Sequence, residues 1–556
     1  MVKKLIELIK MALQKMLTAI TKSTSSDESP LSDVAISDKM AEAIELWRDM
    51  YKDCPPWENP DDGIYTMNLS KQICQSIQQQ VLSELETHIQ EPGVEDEVDM
   101  DKDNVDKQAT RAQYLDDIYH KRLIQQLPEK LEKALALGGM IIKPYFTEQG
   151  VYIDFVEQGQ FYPLAYDNDG TIISIAFPDW FISDGYMYTK IEYQTFDAQN
   201  NTVTVLNKAY RAKIENNNDI DEINDIGDEY PLENIPRWAG LPTEPQVIEQ
   251  VERPLYGYFR VPLANNIDMS SPLGVSIFSP ARKLIEYADR QFSRLDWEYE
   301  GGQIAIDVDP TAVDYQTTYY GNTMQLDECK NRLYRKIDLG QADTYQAFAP
   351  ALRDANYNNG LNTYLMKIED IIGISRGTLS QVETEARTAT EIKLLKQRTY
   401  ITISNIQDAL EKSIMDAVYA MNVFVSLMQF APEGDYDTKI EWKDSVLTDT
   451  DTELNQKLQL VTAGVLSKAE LRSWYTGETL ESAKAAIDTM AKENQERMLN
   501  DIYSQDGNTT LESTEEGEEE EKTRPNDKDK DTKEDKAKNK AKSKENEEDN
   551  NNAFGQ

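Results

Sequence analysis

The sequence predicts an α+β fold in which long helices carry a β-rich block. Three observations predict it. Residues 388–430 contain no Pro or Gly and repeat apolar residues at helical spacing. Residues 140–262 alternate short β-rich runs with turn signals. Residues 281–300 and 356–372 read as two helices flanking a small strand-containing module. A chain of 556 residues is long enough for several domains and a substantial core.

The N-terminal stretch MVKKLIELIKMALQKMLTAI repeats Leu5, Leu8, Ile9, Ala12, Leu13, Met16 and Ile20 helically. Glu7, Lys10 and Lys15 interrupt any signal-peptide core. It reads as an amphipathic helix that docks on its own protein or a neighbouring subunit, with membrane-surface binding as the alternative. No run approaches the ~20 apolar residues of a membrane span. A polar linker follows, then a helix over 37–51 and the turn-rich CPPWENPDDG at 54–63.

Residues 68–90 read as a helix with Ile73, Ile77, Val81 and Leu85 on one face, and 105–138 as another. The acidic run between them, 91–104, lacks the central Gly and terminal Glu of a calcium-binding loop and reads as a solvated loop. Gly138 and Gly139 end the second helix, and GGMIIK has neither the spacing nor the ending of a phosphate loop, which favours close packing at a helix-to-strand turn. The β-rich block follows, with antiparallel hairpins at DNDG and DAQNN and an acidic insert at 215–230.

SPLGVSIFSP at 271–280 launches a helix with Leu284, Ala288, Phe292, Leu295 and Tyr299 on one face, stopped by Gly301 and Gly302. Short strands are expected at 302–310 and 333–340 around a polar excursion, before a helix at 356–372 returns. The polar segment 375–390 then enters the uninterrupted helix, which would be roughly 60 Å long at about 1.5 Å per residue. A strand near 440 and short helices at 452–463, 468–475 and 480–498 follow. From 506 onward almost no apolar residue occurs, and the tail is expected to be disordered.

Composition restricts function. The formal net charge is −42. The tail holds 17 acidic and 10 basic residues, a net of −7, which leaves −35 on residues 1–505. Such acidity argues against a groove that grips nucleic acid through Lys and Arg. It is compatible with a conduit through which DNA slides without sticking. Cys54, Cys74 and Cys329 form no disulfide framework and fit reduced thiols. His88 and His120 are the two histidines of the chain, too few for a His-based metal site or a Ser-His-Asp triad to be expected, and both read as helix-surface residues. No cofactor is expected.

Four stretches in order resemble the portal proteins of tailed bacteriophages, in the siphophage family of Gram-positive-type phages. They are LEKALALGGMIIKPYF with its following FVEQGQFYPLAYDNDGTIISIAF, SPLGVSIFSPARKLIEYADRQFSRLDWEYEGGQIAI, YLMKIEDIIGISRGTLSQVETEARTATEIKLLKQRTYITISNIQDALEKSI, and IEWKDSVLTDTDTELNQKLQLVTAGVLSKAEL. No single one is a catalytic signature; their order carries the resemblance. The acidic inserts and the tail show no family pattern.

The resemblance implies a portal fold: an N-terminal helix and linker at 1–39, a β-rich and helical wing at 40–270, and a two-helix stem at 271–300 and 351–374. It further implies a small α/β clip at 301–350, a tunnel loop at 375–390, a long wing helix and strand at 391–447, a helical crown at 448–505 and a disordered tail at 506–556. It implies a homododecameric ring at one capsid vertex, assembled in the host cytoplasm and retained in the virion. Double-stranded DNA would pass through it. The terminase large subunit, a head–tail adaptor and the scaffold or major capsid protein would be partners, with no stable membrane association. Within the tunnel loop Arg376 and Arg387 would touch phosphates while Glu383 and Glu385 repel them; the alternative is ordinary salt bridges between neighbouring loops. Two other readings stay open: a different head-morphogenesis or minor capsid protein, which would lack the β-rich block, and a metal-dependent phosphoryl-transfer enzyme using Asp307, Asp309 and Asp314. With 100 acidic residues, close carboxylates arise by chance, and no Walker A, nucleophile elbow or HExxH is present.

Overall fold

The computed structural model describes residues 8–16 (except 12 and 14), 37–93 (except 84), 109–214, 225–308, 334–336, 345–381, 389–442 and 450–492 (except 477 and 481). The chain divides into two compact units, Met1–Glu453 and Leu454–Gln556.

In the first unit α1 (Asp38–Tyr51) starts at Ser37, whose hydroxyl accepts from the Met40 amide at 3.3 Å. Its buried stripe of Met40, Ile44, Trp47 and Met50 faces α2 (Leu69–Leu82) and the helix before the sheet. The expected helix over 68–90 stops at Leu82. Residues 85–90 instead form β1 (Leu85–Gln90), paired antiparallel with β14 (Asp437–Trp442). LETHIQ alternates, so Thr87 and Ile89 turn inward while Glu86 and His88 face out. Pairing with a strand some 350 residues away overrides a helical local pattern. His88 therefore lies on a strand.

The helix expected over 105–138 is three pieces: α3 (Arg111–Ile118), a π-helical turn (Tyr119–Ile124) and α4 (Leu127–Leu137). A reciprocal capping box between Thr110 and Gln113 starts α3, and Pro128 sits in the first turn of α4. Gly138 ends α4 at φ +100°. A Cβ on Gly138 would stand 2.6 Å from the Gly274 carbonyl oxygen, and one on Gly274 2.0 Å from that of Gly138. The glycines at this turn are thus required by backbone approach, as expected from the sequence. Gln158 seals the crossing, its side-chain amide donating to the carbonyls of Leu137 (2.7 Å) and Gly274 (2.9 Å).

The β-rich block forms two sheets. β2 (Gly139–Thr147) lies between β3 (Gly150–Glu157) and β10 (Gly257–Arg260), all antiparallel. The larger sheet runs β4 (Tyr162–Tyr166), β5 (Ile172–Ser183), β6 (Tyr186–Asp197), β7 (Thr202–Lys213), β8 (Asp228–Glu229), with β9 (Gln246–Glu249) also on β7. The helical segment at 8–16 docks on this body: Leu8 packs with Met187, Ala212 and Ile214, while Ile9, Leu13 and Met16 join the main core. Lys15 bonds Asp225 at 2.8 Å. The expected docking on its own protein is what is seen.

α5 (Arg282–Gly301) and α6 (Asp354–Ile372) pack against each other, with a three-stranded sheet between them in sequence. There β11 (Ala305–Val308) lies between a parallel β12 (Tyr334–Lys336) and an antiparallel β13 (Tyr345–Phe348). Two of these strands match expectation and β13 adds a third. The buried stripe of α5 is Ile285, Ala288, Asp289, Ser293, Leu295 and Glu298, so Tyr299 points outward, contrary to the expected face. Four apolar spacings left the stripe's edge ambiguous by one residue.

α7 (Ala389–Met428) is a single 40-residue helix. Ile406, Leu410, Ile414, Ala417, Met421 and Val425 are buried against β10, β2 and α2. Gly257 lets β10 touch it: a Cβ there would lie 1.9 Å from the Ser413 carbonyl oxygen. No helix among the described residues is long and apolar enough to cross a membrane. α8 (Thr450–Thr462), which begins just before the second unit, runs into α9 (Lys468–Thr476) through Gly464 at φ +73°, and residues 482–492 are helical. The tail from 506 and residues 94–104 of the acidic insert at 91–104 lie outside the described residues.

Candidate functional site

The sequence directs attention to the polar segment between α6 and α7. The structure describes it up to residue 381 and again from 389. Glu383, Glu385 and Arg387 lie outside the described residues, as do Asp309 and Asp314, and nothing is described of the Asp307 side chain.

What is described is the root of that loop. α6 closes at Gly373, in the left-handed region at φ +87°. One turn earlier, Glu369 is fully buried. Its carboxylate reaches past the helix end and accepts from the amides of Leu379 (2.6 Å) and Ser380 (2.9 Å) and from the Ser380 hydroxyl (2.7 Å). The Ser380 hydroxyl in turn accepts from the Gly377 amide at 3.0 Å. Asn362, further back on α6, accepts from the Gln381 amide at 2.8 Å. The backbone from 377 to 381 is thus laced to α6 by side chains, because a turn has no ladder of its own to satisfy these donors.

The other wall is α7. Thr402 donates to the Gly373 carbonyl at 3.0 Å, and the hydroxyls of Ser375 and Thr399 lie 2.6 Å apart. A Cβ at position 373 would fall 2.6 Å from the Thr402 hydroxyl, a second reason for glycine. Arg376 grips Asp370 with two bonds, Nε to Oδ1 at 3.1 Å and Nη2 to Oδ2 at 2.9 Å. Lys367 and Arg398 stand 3.8 and 3.7 Å from the same carboxylate. The hydrogen bond from Arg376 holds the Asp370 carboxyl below its ordinary range, outweighing partial burial. Of the four expected loop residues, Arg376 is therefore described in an ion pair within its own chain, beside α6.

The elements carrying this root are fixed to the rest of the first unit. Asp289 of α5 is 2 % exposed and accepts from the Trp57 indole (2.9 Å) and the Met67 amide (3.0 Å). Burial raises its carboxyl to about 6, against the lowering effect of those two donors. Next to it, Ser293 accepts from the Tyr65 amide at 2.9 Å. At the far end of α7 the buried Arg111 donates to the Pro432 carbonyl (2.9 Å), Asn422 Oδ1 (3.3 Å) and Ser426 Oγ (3.0 Å).

These groups act as positioning chemistry: carboxylates and an arginine satisfying backbone donors and acceptors where helices end. Sequence reasoning passed over Glu369, Asp289 and Arg111. The available signal was a lone charge inside an apolar stripe, as in KIEDIIGI for Glu369. A buried charge at such a position must be answered by several donors.

The family described as phage portal protein, SPP1 Gp6-like, matches residues 93–498 of the chain. No individually curated protein matches it.

Proposed function

The chain belongs to the phage portal protein family, SPP1 Gp6-like, and from that membership we propose that it forms a ring-shaped channel at one capsid vertex, through which DNA is packaged and later ejected. The observation that carries the reading is the continuous path α5, three-stranded sheet, α6, polar loop, α7. Two packed helices with a small sheet at their far end fit a stem and clip, and a 40-residue helix beginning at a polar loop fits a strut behind a channel constriction.

In this reading residues 375–390 face the channel, with Arg376, Glu383, Glu385 and Arg387 on the loop. Residues 301–350 meet the terminase large subunit and then a head–tail adaptor. Residues 448–505 face the capsid interior, and the capsid or scaffold protein contacts the ring's outside. The ring is a homododecamer, resident in the virion, and performs no catalysis of its own. An excess of 42 negative charges per chain supports a conduit of low friction, since phosphates are repelled rather than held. Surface left uncovered by the chain itself supports packing against further copies: Trp297 is 67 % exposed on α5, and Tyr287 and Ile371 are about half exposed on the same helix pair. The six-stranded sheet favours this reading over another head-morphogenesis protein, which would be mostly helical.

The test is light scattering combined with end-on electron microscopy of the purified full-length protein. A closed ring with a central hole is expected. A monomer, or an assembly without a hole, would overturn the proposal.

A further inference from the structure

Both histidines of the 556-residue chain meet at one carboxylate. His88 comes from β1, Asp116 from α3 and His120 from the π-helical turn that follows α3. One ligand-capable atom from each lies within 4.8 Å of the other two. His120 Nε2 is 3.4 Å from Asp116 Oδ1, and the two imidazole rings are centred 5.6 Å apart. Two ligands at 2.0–2.1 Å on a tetrahedral ion stand about 3.3 Å apart, so the His120–Asp116 pair already has that spacing. His88 is exposed, and its ligand atom would have to close from within 4.8 Å to about 3.3 Å of the other two.

The supports of the three residues are also built. The Ile89 amide donates to Asp116 Oδ1 at 2.8 Å, orienting the carboxylate as outer partners orient ligands in metal sites. Tyr119, adjacent to His120, is fully buried; its hydroxyl lies 2.8 Å from that of Thr87, which itself donates to the Lys439 carbonyl at 3.0 Å. The π-turn is what rotates His120 onto the β1 side, and such turns recur at functional sites. Lys439 stands across the ribbon from His88 and opposes a cation, while Glu86 and Glu441 lie two positions along on the same face.

We propose that His88, Asp116 and His120 form a binding site for a divalent transition metal ion of the zinc class. Two imidazoles and one carboxylate suit Zn²⁺ or Cu²⁺ and disfavour Mg²⁺ or Ca²⁺, which prefer all-oxygen shells. The ion would clip β1 to α3. The inventory of two histidines, which argues against a His-rich site, is sufficient once a carboxylate completes the set. This inference does not rest on the portal reading.

The experiment is calorimetric titration of untagged full-length protein with zinc chloride. One saturable site per chain is expected, weakened at least tenfold by His88→Ala and by His120→Ala. Asp116→Asn, which keeps the acceptor for the Ile89 amide, should weaken it as well. Zinc should raise the melting temperature of the wild type but not of the histidine variants. With Cu²⁺ as probe, pulsed EPR of the wild type should show the remote nitrogen of coordinated imidazole, for which the chain has no other source; this readout stands even if a variant fails to fold. No saturable site, zinc binding in both histidine variants equal to that of the wild type, or an oxygen-only copper spectrum would overturn the proposal and assign the metal to the acidic surface.

Discussion

Replacing Glu369 should release the loop root while leaving the ring intact. In the native structure its carboxylate serves three donors, two of them backbone amides. Hydrogen bonds to a charged acceptor contribute a net ~1.5–3 kcal/mol each, and bonds sharing one acceptor do not add fully. Glu369→Ala also leaves a small cavity and two amides to find water, so the 377–381 turn should lose about 3–5 kcal/mol of local stability. A factor of ten in an opening equilibrium corresponds to about 1.4 kcal/mol. Hydrogen exchange of the peptide covering 374–381 should therefore accelerate by about 10²- to 4 × 10³-fold in the purified protein. Glu369→Gln keeps an oxygen for the Leu379 and Ser380 amides and should give a much smaller effect. Ser380→Ala loses the hydroxyl's donation to Glu369 and the bond it accepts from the Gly377 amide, about 1–2 kcal/mol together, and should lie between wild type and Glu369→Ala. Exchange that is unchanged in Glu369→Ala would show that the turn is held by something other than this carboxylate. If the loop constricts the channel, the same variant should form rings yet retain less DNA in filled heads.

Other outcomes follow from single contacts. Asp289 has a folded-state value near 6, above the ordinary ~3.9, so the stability it contributes is complete below about pH 3.9 and is lost as pH rises through about 6; that loss is about 3 kcal/mol, and urea melts of wild type and Asp289→Asn should converge or cross between pH 4.5 and 7, whereas parallel profiles would refute it. Gly257→Ala places a methyl into the Ser413 carbonyl and should separate β10 from α7, seen as loss of soluble protein or a sharply lower melting temperature. Arg376→Glu breaks a partly exposed ion pair that contributes about 1 kcal/mol or less, so it should spare ring assembly while lowering packaged DNA; failure to assemble would make the loop root structural. Trp297→Glu should weaken the ring, read as smaller species in light scattering, without changing the circular dichroism of the subunit.

The elements that could be read from the sequence are those whose signals are local and long. Forty residues of uninterrupted apolar periodicity specify α7 without help from the rest of the chain, and Gly138 announces the end of α4 because no other residue fits there. What escaped was decided at a distance. LETHIQ became β1 because 437–442 supplies its partner, and the long helix before the sheet broke at a π-turn that positions Tyr119 and His120, with Pro128 in the first turn of the next piece. The loop's charged residues were visible, but its anchor was not. Glu369 sits one turn inside α6, where a helical pattern records only an acid among isoleucines, and its partners arrive after a reversal that periodicity does not encode.

α7 explains why that anchor has consequences beyond one turn. Thr399 and Thr402 near its start bond Ser375 and Gly373 at the loop root. In its middle, Ser413 presses on Gly257 of β10, and Asp416 pairs with Arg253 at 2.9 Å. Near its end, Asn422 and Ser426 receive the buried Arg111. From residue 399 to 426 spans about 40 Å of helix. An unbroken helix of that length does not hinge without a Pro, Gly or bulge, and α7 holds no Pro or Gly. The loop root is thus referenced to the β-rich body through one stiff element fixed at three points. In the proposed channel, a constriction that must hold its radius against moving DNA would need such a reference, and a flexible linker in its place would let each copy of the loop wander independently.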